Sequence, residues 1–216
     1  MKANRFKYPR TMHMPWSPGV QSDDKVIKTT DQFNGRRVIL TEKMDGENTT
    51  MYRDGIHARS IDSAHHPSRD WVKRIWAENA WMIPDGDRIC GENMYAQHSV
   101  VYEELESYFY VFSVWHGTKC YDWDYTVSVG RLGMPHVKVL YDGIYDEKVI
   151  RDICESLDTS RIEGAVLRIA DEILYEEFDK YVMKYVRKGH VQTDEHWMHQ
   201  AIKPNGIRLD LQKKFG

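Results

Sequence analysis

Two short runs, Thr49–Arg53 and Ile56–Ser60, are separated only by Asp54-Gly55. A pair of that type closes a two-residue turn, because glycine reaches positive φ without a Cβ clash, so the runs fold back on each other as an antiparallel hairpin. Val38–Lys43, Arg88–Cys90, Tyr108–Trp115, Ile162–Ile169 and Tyr181–Val186 have the same strand-like length and character. Helical periodicity is confined to a few places. In Asp70–Met82, Trp71, Ile75 and Met82 recur near one face; in Asp146–Leu157, Val149, Ile150, Ile153 and Leu157 do. Thr193-Asp194 reads as the cap of a short helix to Ala201, stopped at Lys203-Pro204-Asn205-Gly206. Strands and helices do not alternate in the βαβ manner. The chain therefore reads as an α+β fold of antiparallel β-sheets flanked by helices.

The prolines and glycine of the segment from Tyr8 to Gln21 make it an extended arm. No break marks a boundary, so residues 1–216 read as a single domain with that N-terminal arm and a short C-terminal helix. At 41% hydrophobic residues the chain can bury a core. Cys90, Cys120 and Cys154 are far apart with no CxxC spacing, which predicts buried thiols in a reducing compartment and excludes a disulfide framework. No apolar run reaches membrane-spanning length and the N-terminus lacks a signal-peptide core, so no membrane partner and a cytoplasmic location are expected. The formal net charge is −3, so a nucleic-acid partner needs a local basic surface. Seven Trp and thirteen Tyr suit half-buried clefts and stacking on bases.

Four stretches carry groups whose positions need explaining. In Thr41-Glu42-Lys43-Met44-Asp45-Gly46-Glu47-Asn48 a lysine stands where a strand gives way to a tight turn. An amine attacks only when neutral, and desolvation or neighbouring cations can free its lone pair; a solvated turn lysine is the plain alternative. Ala58-Arg59-Ser60 puts a guanidinium on the outgoing arm of the hairpin, able to bind phosphate or simply to face water. Gly91-Glu92 follows a short strand, and Tyr108, Tyr110, Phe112 and Val114 share a face of the next, either filling the core or offering Phe112 to a purine. Glu163 and Lys184 each interrupt an apolar strand, where a charge is costly unless paired or facing a cleft. A Glu163–Lys184 salt bridge would account for both.

Taken in order, Lys43-Met44-Asp45-Gly46, Arg59, Gly91-Glu92 with Phe112, Glu163-Gly164-Ala165-Val166 and Lys184 resemble the collinear motifs of the covalent nucleotidyltransferase superfamily of polynucleotide ligases and capping enzymes. The first and third stretches look closest to its ATP-dependent RNA ligases. The resemblance implies a nucleotidyltransferase (ATP-grasp-like ligase) domain that joins RNA 5′-phosphate and 3′-hydroxyl ends, with ATP as substrate and Mg²⁺ or Mn²⁺ as the metal. It implies that Lys43 is the catalytic nucleophile, carrying AMP as a lysyl-adenylate. Glu163 and Glu92 would serve the metal, and Glu92 the ribose. Phe112 would stack on adenine, Arg59 and Lys184 would bind phosphate, Glu42 would read the adenine edge, and Asn48 would support the nucleotide pocket.

The chain departs from the pattern in two places. Valine, Val186, stands where a second lysine of the last motif is common, followed by Arg187 and Lys188; either of these substitutes in the phosphate contact, or that contact is missing. Ser113 follows Phe112 where an aspartate is frequent. No OB-fold appendage is expected after the last motif, so RNA would be gripped by this domain, by the arm with Arg10, His13 and Trp16, or by a partner protein. His196 and His199 stand at helical spacing and are read as a solvated face more readily than as a zinc site. The competing expectations are a DNA ligase or guanylyltransferase of the same superfamily, and a module that binds RNA or nucleotide without chemistry.

Overall fold

The expected hairpin forms one residue earlier than read: its two-residue turn is Arg53-Asp54, and Gly55, at positive φ, opens the second strand opposite Tyr52. The computed structural model of the protein describes residues 4–188, 201–208 and 210. Its first half contains β1 (Met12–His13), β2 (Arg37–Lys43), β3 (Glu47–Tyr52), β4 (Gly55–Ala58), α1 (Asp70–Asn79), β5 (Asp87–Asn93), β6 (Phe109–His116) and β7 (Lys119–Cys120). The second contains α2 (Trp123–Ser128), β8 (Val139–Ile144), α3 (Glu147–Glu155), β9 (Gly164–Ile169), β10 (Ile173–Leu174), α4 (Phe178–Tyr181) and β11 (Val182–Val186). The strands form two sheets, ordered β1-β11-β9-β2-β8 and β10-β7-β6-β5-β3-β4. Every pairing between these strands is antiparallel except that of β1 on β11.

Between β2 and β3 the chain passes from the first sheet to the second through the three residues Met44-Asp45-Gly46. Lys43 is thus the last residue of one sheet, and Glu47 is the first strand residue of the other. A Cβ on Gly46 would lie 2.5 Å from the Asn93 carbonyl oxygen and 2.7 Å from Met94 Sδ, so only glycine lets the crossover lie against the end of β5.

Buried side chains from both sheets, among them Leu40, Leu167 and Met183 from the first and Cys90, Trp115 and Cys120 from the second, join one core cluster. α3 adds Ile150 and Cys154 to it, and Asp146 caps that helix by accepting a hydrogen bond from Val149 N at 3.1 Å. A separate cluster of Met51, Ile89, Phe109, Val111 and Val114 takes Val72 from α1. The three cysteines are buried and free, as expected.

Three readings of the sequence are corrected. The strand beginning near Arg88 does not stop at Gly91-Glu92 but runs through both to Asn93. Tyr108, Tyr110, Phe112 and Val114 do not share one face. Cys90 pairs with Ser113 and Gly91 with Val111, so Phe112 is the extra residue of a β-bulge, and beyond it the alternation inverts. Val114 accordingly joins the cluster under α1, while Phe112 packs against the clusters on the other side. The third concerns the arm only in part: it is extended, as read, and it is packed as a strap along the sheet. Met14 N donates to the Lys184 carbonyl at 2.9 Å, Val186 N to Ser17 Oγ at 3.0 Å and Gly19 N to the Val186 carbonyl at 2.9 Å, so residues 12–19 edge the first sheet. The helix read at Asp194–Ala201, with His196 and His199, lies outside the described residues up to Ala201. Among the described residues no helix is long and apolar enough to cross a membrane.

Gly164 is where the two central strands of the first sheet approach most tightly. A Cβ there would stand 1.9 Å from the Tyr185 carbonyl oxygen, a backbone atom that cannot move aside without breaking the β9–β11 ladder. Gly164→Ala is therefore expected to cost about 2–4 kcal/mol, read as a lower midpoint in urea at unchanged slope.

Candidate active site at the crossover between the sheets

Register lines up the charged groups. Lys43 pairs with Gly164 and Gly164 with Val186, while one row back Thr41 pairs with Val166 and Val166 with Lys184. Side chains two apart on a strand share a face, so Lys43 and Lys184 project to the same side of the first sheet. Glu163, just before β9, is 1% exposed, and Lys43 Nζ donates to its Oε1 at 2.6 Å and its Oε2 at 2.5 Å. From the second sheet, Glu92 accepts from Gly46 N at 3.2 Å. Asp45 is buried inside the crossover and accepts from Ser99 Oγ and Val100 N, both at 2.7 Å.

This arrangement corrects two expectations. Glu163 pairs with Lys43, not with Lys184; the cationic partner was misplaced because register across three strands cannot be read from one strand's pattern. And the charges nearest Lys43 are negative, not positive. Burial pulls its pKa down, but Glu163, Glu92 and Asp45 outweigh burial and hold the ammonium above its ordinary pKa. The lysine is thus a charged, paired group at rest, and something must draw the carboxylates away before its lone pair is free.

Glu92 bears the cost of this crowding. Burial pushes its carboxyl up to about 8; Lys43 opposes the shift, and Glu163 and Asp45 add to it. The folded protein therefore keeps a proton that the unfolded chain releases near the ordinary 4.5. The sign follows: stability is full below 4.5 and falls as pH rises toward 8. Thermal melts in chelator between those limits are expected to show a falling Tm for the wild type and a flatter profile for Glu92→Gln.

The remaining expected residues are placed as follows. Asn48 pairs with Glu92 on the neighbouring strand, and its Oδ1 is buried with no hydrogen-bond partner among the described residues. Arg59 is exposed, one residue past Ala58, whose partner is Thr49, so it borders the same end of the second sheet. Phe112 is half-buried, with the Tyr8 ring of the arm edge-on at 5.2 Å. Glu42 is partly buried opposite Ala165; burial raises its carboxyl while Lys138 opposes the shift. Lys184 is 9% exposed. Arg187 donates to Ser99 Oγ at 3.2 Å and to the Thr159 carbonyl at 3.1 Å, which ties it to the Asp45 anchor; Lys188 is exposed.

Two contributors were missed. Asp24 contacts Lys184 at 3.6 Å, yet in the sequence it stands in a polar run that reads as a solvated loop. Ser99 joins Asp45 to Arg187 from a loop without strand or helix pattern. Tyr102 in that loop accepts from Asp45 N at 3.2 Å, and Asn205 pins the loop by accepting from Tyr102 N at 3.0 Å. None of these has a local signal, because each contact spans the chain.

As for ligands, Glu163 and Glu92 are hard oxygen donors in a pocket with more carboxylates than ammonium groups, which suits a divalent cation that also takes oxygens from a phosphate. Among the described residues no group of three or more His, Cys, Asp or Glu forms a ready-made metal cage. The unpartnered Asn48 oxygen and the two lysines suit a polar, anionic ligand beside them.

No curated protein sequence matches the chain. Among solved structures, RNA ligase from Naegleria gruberi with PPi is similar, at a TM-score of 0.57 and 18% identity over 86% of this chain and 59% of that one. A variant of that ligase without ligand gives a TM-score of 0.54 at 17% identity over 83% and 56%. Another variant, with ATP and Mn, gives 0.52 at 17% over 73% and 51%. The chain thus spans little more than half of the proteins it resembles, and the likeness establishes the fold. The family model described as RNA ligase matches residues 36–186, from the start of β2 to the end of β11. The chain belongs to the RNA ligase family.

Proposed function

We propose that the protein is an ATP-dependent RNA ligase that seals 5′-phosphate and 3′-hydroxyl ends through an adenylate on Lys43. The observation that carries the proposal is Lys43 at the crossover, partly buried and held by Glu163 on a sheet face shared with Lys184. In the first step the Lys43 nitrogen attacks the α-phosphorus of ATP, an N–P bond forms, and the bond to pyrophosphate breaks. AMP then passes from Lys43 to the RNA 5′-phosphate, and a 3′-hydroxyl displaces it to close the strand. Each step is phosphoryl transfer, where holding the reactants in line and neutralising charge supply most of the rate.

The proposal assigns a role to each group, and the placement of the side chains supports it. Lys184 faces the phosphate beside Lys43. Asn48 offers its unpartnered oxygen to the nucleotide, Phe112 borders the base, and Glu42 with the neighbouring Lys138 contacts its edge. Arg59, exposed at the sheet end, suits the RNA 5′-phosphate. Arg187 stands in for the second lysine through its tie to Ser99, and the exposed Lys188 suits the RNA backbone. Mg²⁺ or Mn²⁺ held by Glu163 and Glu92 would neutralise those carboxylates, which lowers the Lys43 pKa, and would supply positive charge to phosphate oxygens.

Incubation with α-labelled ATP, GTP or labelled NAD and a divalent cation, then denaturation, tests this. Label is expected from ATP alone. Label from GTP would mark a guanylyltransferase, label from NAD another ligase class, and no label a binding module. Sealing assays on nicked duplex and single-stranded RNA, with DNA counterparts, then identify the polynucleotide.

A further inference from the structure

Lys184 lies in the middle of β11, and its charge is answered not from the active-site strands but from the arm. His13 stands directly beside it in the β1–β11 register, and Asp24 reaches over from the segment that doubles back along β1. That segment is fixed on both sides: His13 N donates to the Lys25 carbonyl at 2.8 Å, and Ile27 N to the His13 carbonyl at 2.9 Å. The Asp24 carboxylate has a defined place for each oxygen. Oδ1 lies 3.6 Å from Lys184 Nζ; Oδ2 lies 3.1 Å from His13 Nε2 and accepts from Gln21 N at 3.1 Å. His13 is in turn oriented by Ser17, whose Oγ is 2.9 Å from Nδ1 and also accepts from Val186 N. Arg10 is a further cation near Asp24, at 3.7 Å. The Asp24 side chain is 6% exposed and that of Lys184 11%, so solvent contributes little to holding either.

We propose that Asp24, braced by His13, is a positioning residue that aims the Lys184 ammonium at the nucleotide phosphate. The idea rests on the ligase reading and extends it to a part of the chain outside the matched residues 36–186. A lysine has four rotatable bonds, and one on this strand would otherwise swing toward Glu163, which also lies in its electrostatic field. The charge pattern agrees: burial and the nearby Lys43 both work against the Lys184 ammonium, and Asp24 is the strongest influence in its favour. Asp24 touches no reacting atom. It acts through Lys184 or not at all.

That last statement makes it testable by a double-mutant cycle on self-adenylylation, with initial rates measured against ATP concentration. Asp24→Asn keeps the shape and the acceptor for Gln21 N. It is expected to raise KM for ATP about tenfold while changing the saturated rate much less, because misplacing one charged contact weakens binding by about that factor. In a Lys184→Met background the same substitution is expected to change nothing further. An unchanged KM in Asp24→Asn, or effects that multiply in the double variant, would overturn the proposal. Should circular dichroism show Asp24→Asn unfolded, Asp24→Glu takes its place. That variant keeps the charge and displaces it by one methylene, so a raised KM that vanishes in the Lys184→Met background supports the idea, and wild-type KM counts against it. Wild-type protein that takes no label from ATP would remove the ligase reading itself, an outcome distinct from labelled wild type with an indifferent Asp24 variant.

Discussion

Lys43→Ala will take no label from ATP, and it will also melt earlier than the wild type at neutral pH. The first half is chemical: without the amine no nitrogen is available to attack the α-phosphorus. The second half follows from Glu163, which is 1% exposed and has both oxygens engaged by Lys43. Removing Lys43 takes away the cation that engages both oxygens of this buried carboxylate, at a cost of about 3–5 kcal/mol. The carboxylate can escape part of that cost by holding a proton, which fixes the pH dependence. In the variant the folded-state pKa of Glu163 should rise above its unfolded value, so the deficit grows as pH rises and shrinks on approach to the ordinary Glu value of about 4.3. Inactivity of the alanine variant is therefore ambiguous alone, since loss of fold and loss of nucleophile coincide. Lys43→Arg separates them. A guanidinium retains the ion pair but is no nucleophile, so that variant should melt within a few degrees of wild type and still take no label. An arginine variant that melted like the alanine one would mean the pocket is shaped to the ammonium, and label on either variant would remove the covalent mechanism.

What the sequence carried and what it withheld divide along physical lines. Short-range rules worked. The hairpin read at Asp54-Gly55 formed, with its turn one residue earlier at Arg53-Asp54, Asp146 capped its helix, and each apolar run read as a strand became one. The motif residues Lys43, Glu92 and Glu163 converge on the crossover even though 120 residues separate the first from the last. Some elements were missed, though a signal existed: α2 begins at Asp122, which accepts from Tyr125 N at 2.7 Å, an ordinary cap in an aromatic-rich stretch. β8 was missed because the run Val139–Ile144 is broken by Asp142-Gly143, which reads as a turn; Asp142 instead serves an ion pair with Arg37 on the adjacent strand. The inverted face beyond Phe112 had no signal, since a bulge depends on the partner strand. Pair assignments were the least legible. The lone carboxylate of one strand and the lone lysine of another looked made for each other, yet Glu163 met Lys43 and Lys184 met Asp24.

That swap of partners sets up the sharpest outcome for Glu163. Replaced by glutamine, it keeps its size and can still accept from Lys43, so the fold should stand. Two consequences of the lost charge oppose each other. Burial draws the Lys43 pKa down, and Glu163 is the largest influence holding it up. Glu163→Gln should therefore enlarge the neutral fraction of the amine, by about tenfold for each unit by which the pKa drops. If restraint of Lys43 were the only role of Glu163, adenylylation at pH 7 would speed up. The proposed role demands the reverse, because the carboxylate also neutralises and places a divalent cation against the phosphates. Loss of a group that stabilises charge in a phosphoryl-transfer transition state costs about 100-fold or more, which outweighs the gain from a freer amine. The expected result is a Glu163→Gln protein with near-native melting, at least a hundredfold slower labelling, a rate that rises less with pH than that of the wild type, and a much higher Mg²⁺ requirement. The shallower pH response follows from the sign of the shift: with its pKa lowered, more of the variant's amine is neutral at pH 7, so further alkali gains less than it does for the wild-type ammonium. A faster variant with unchanged Mg²⁺ requirement would leave Glu163 as the counter-ion of a resting lysine and move the metal to other oxygens.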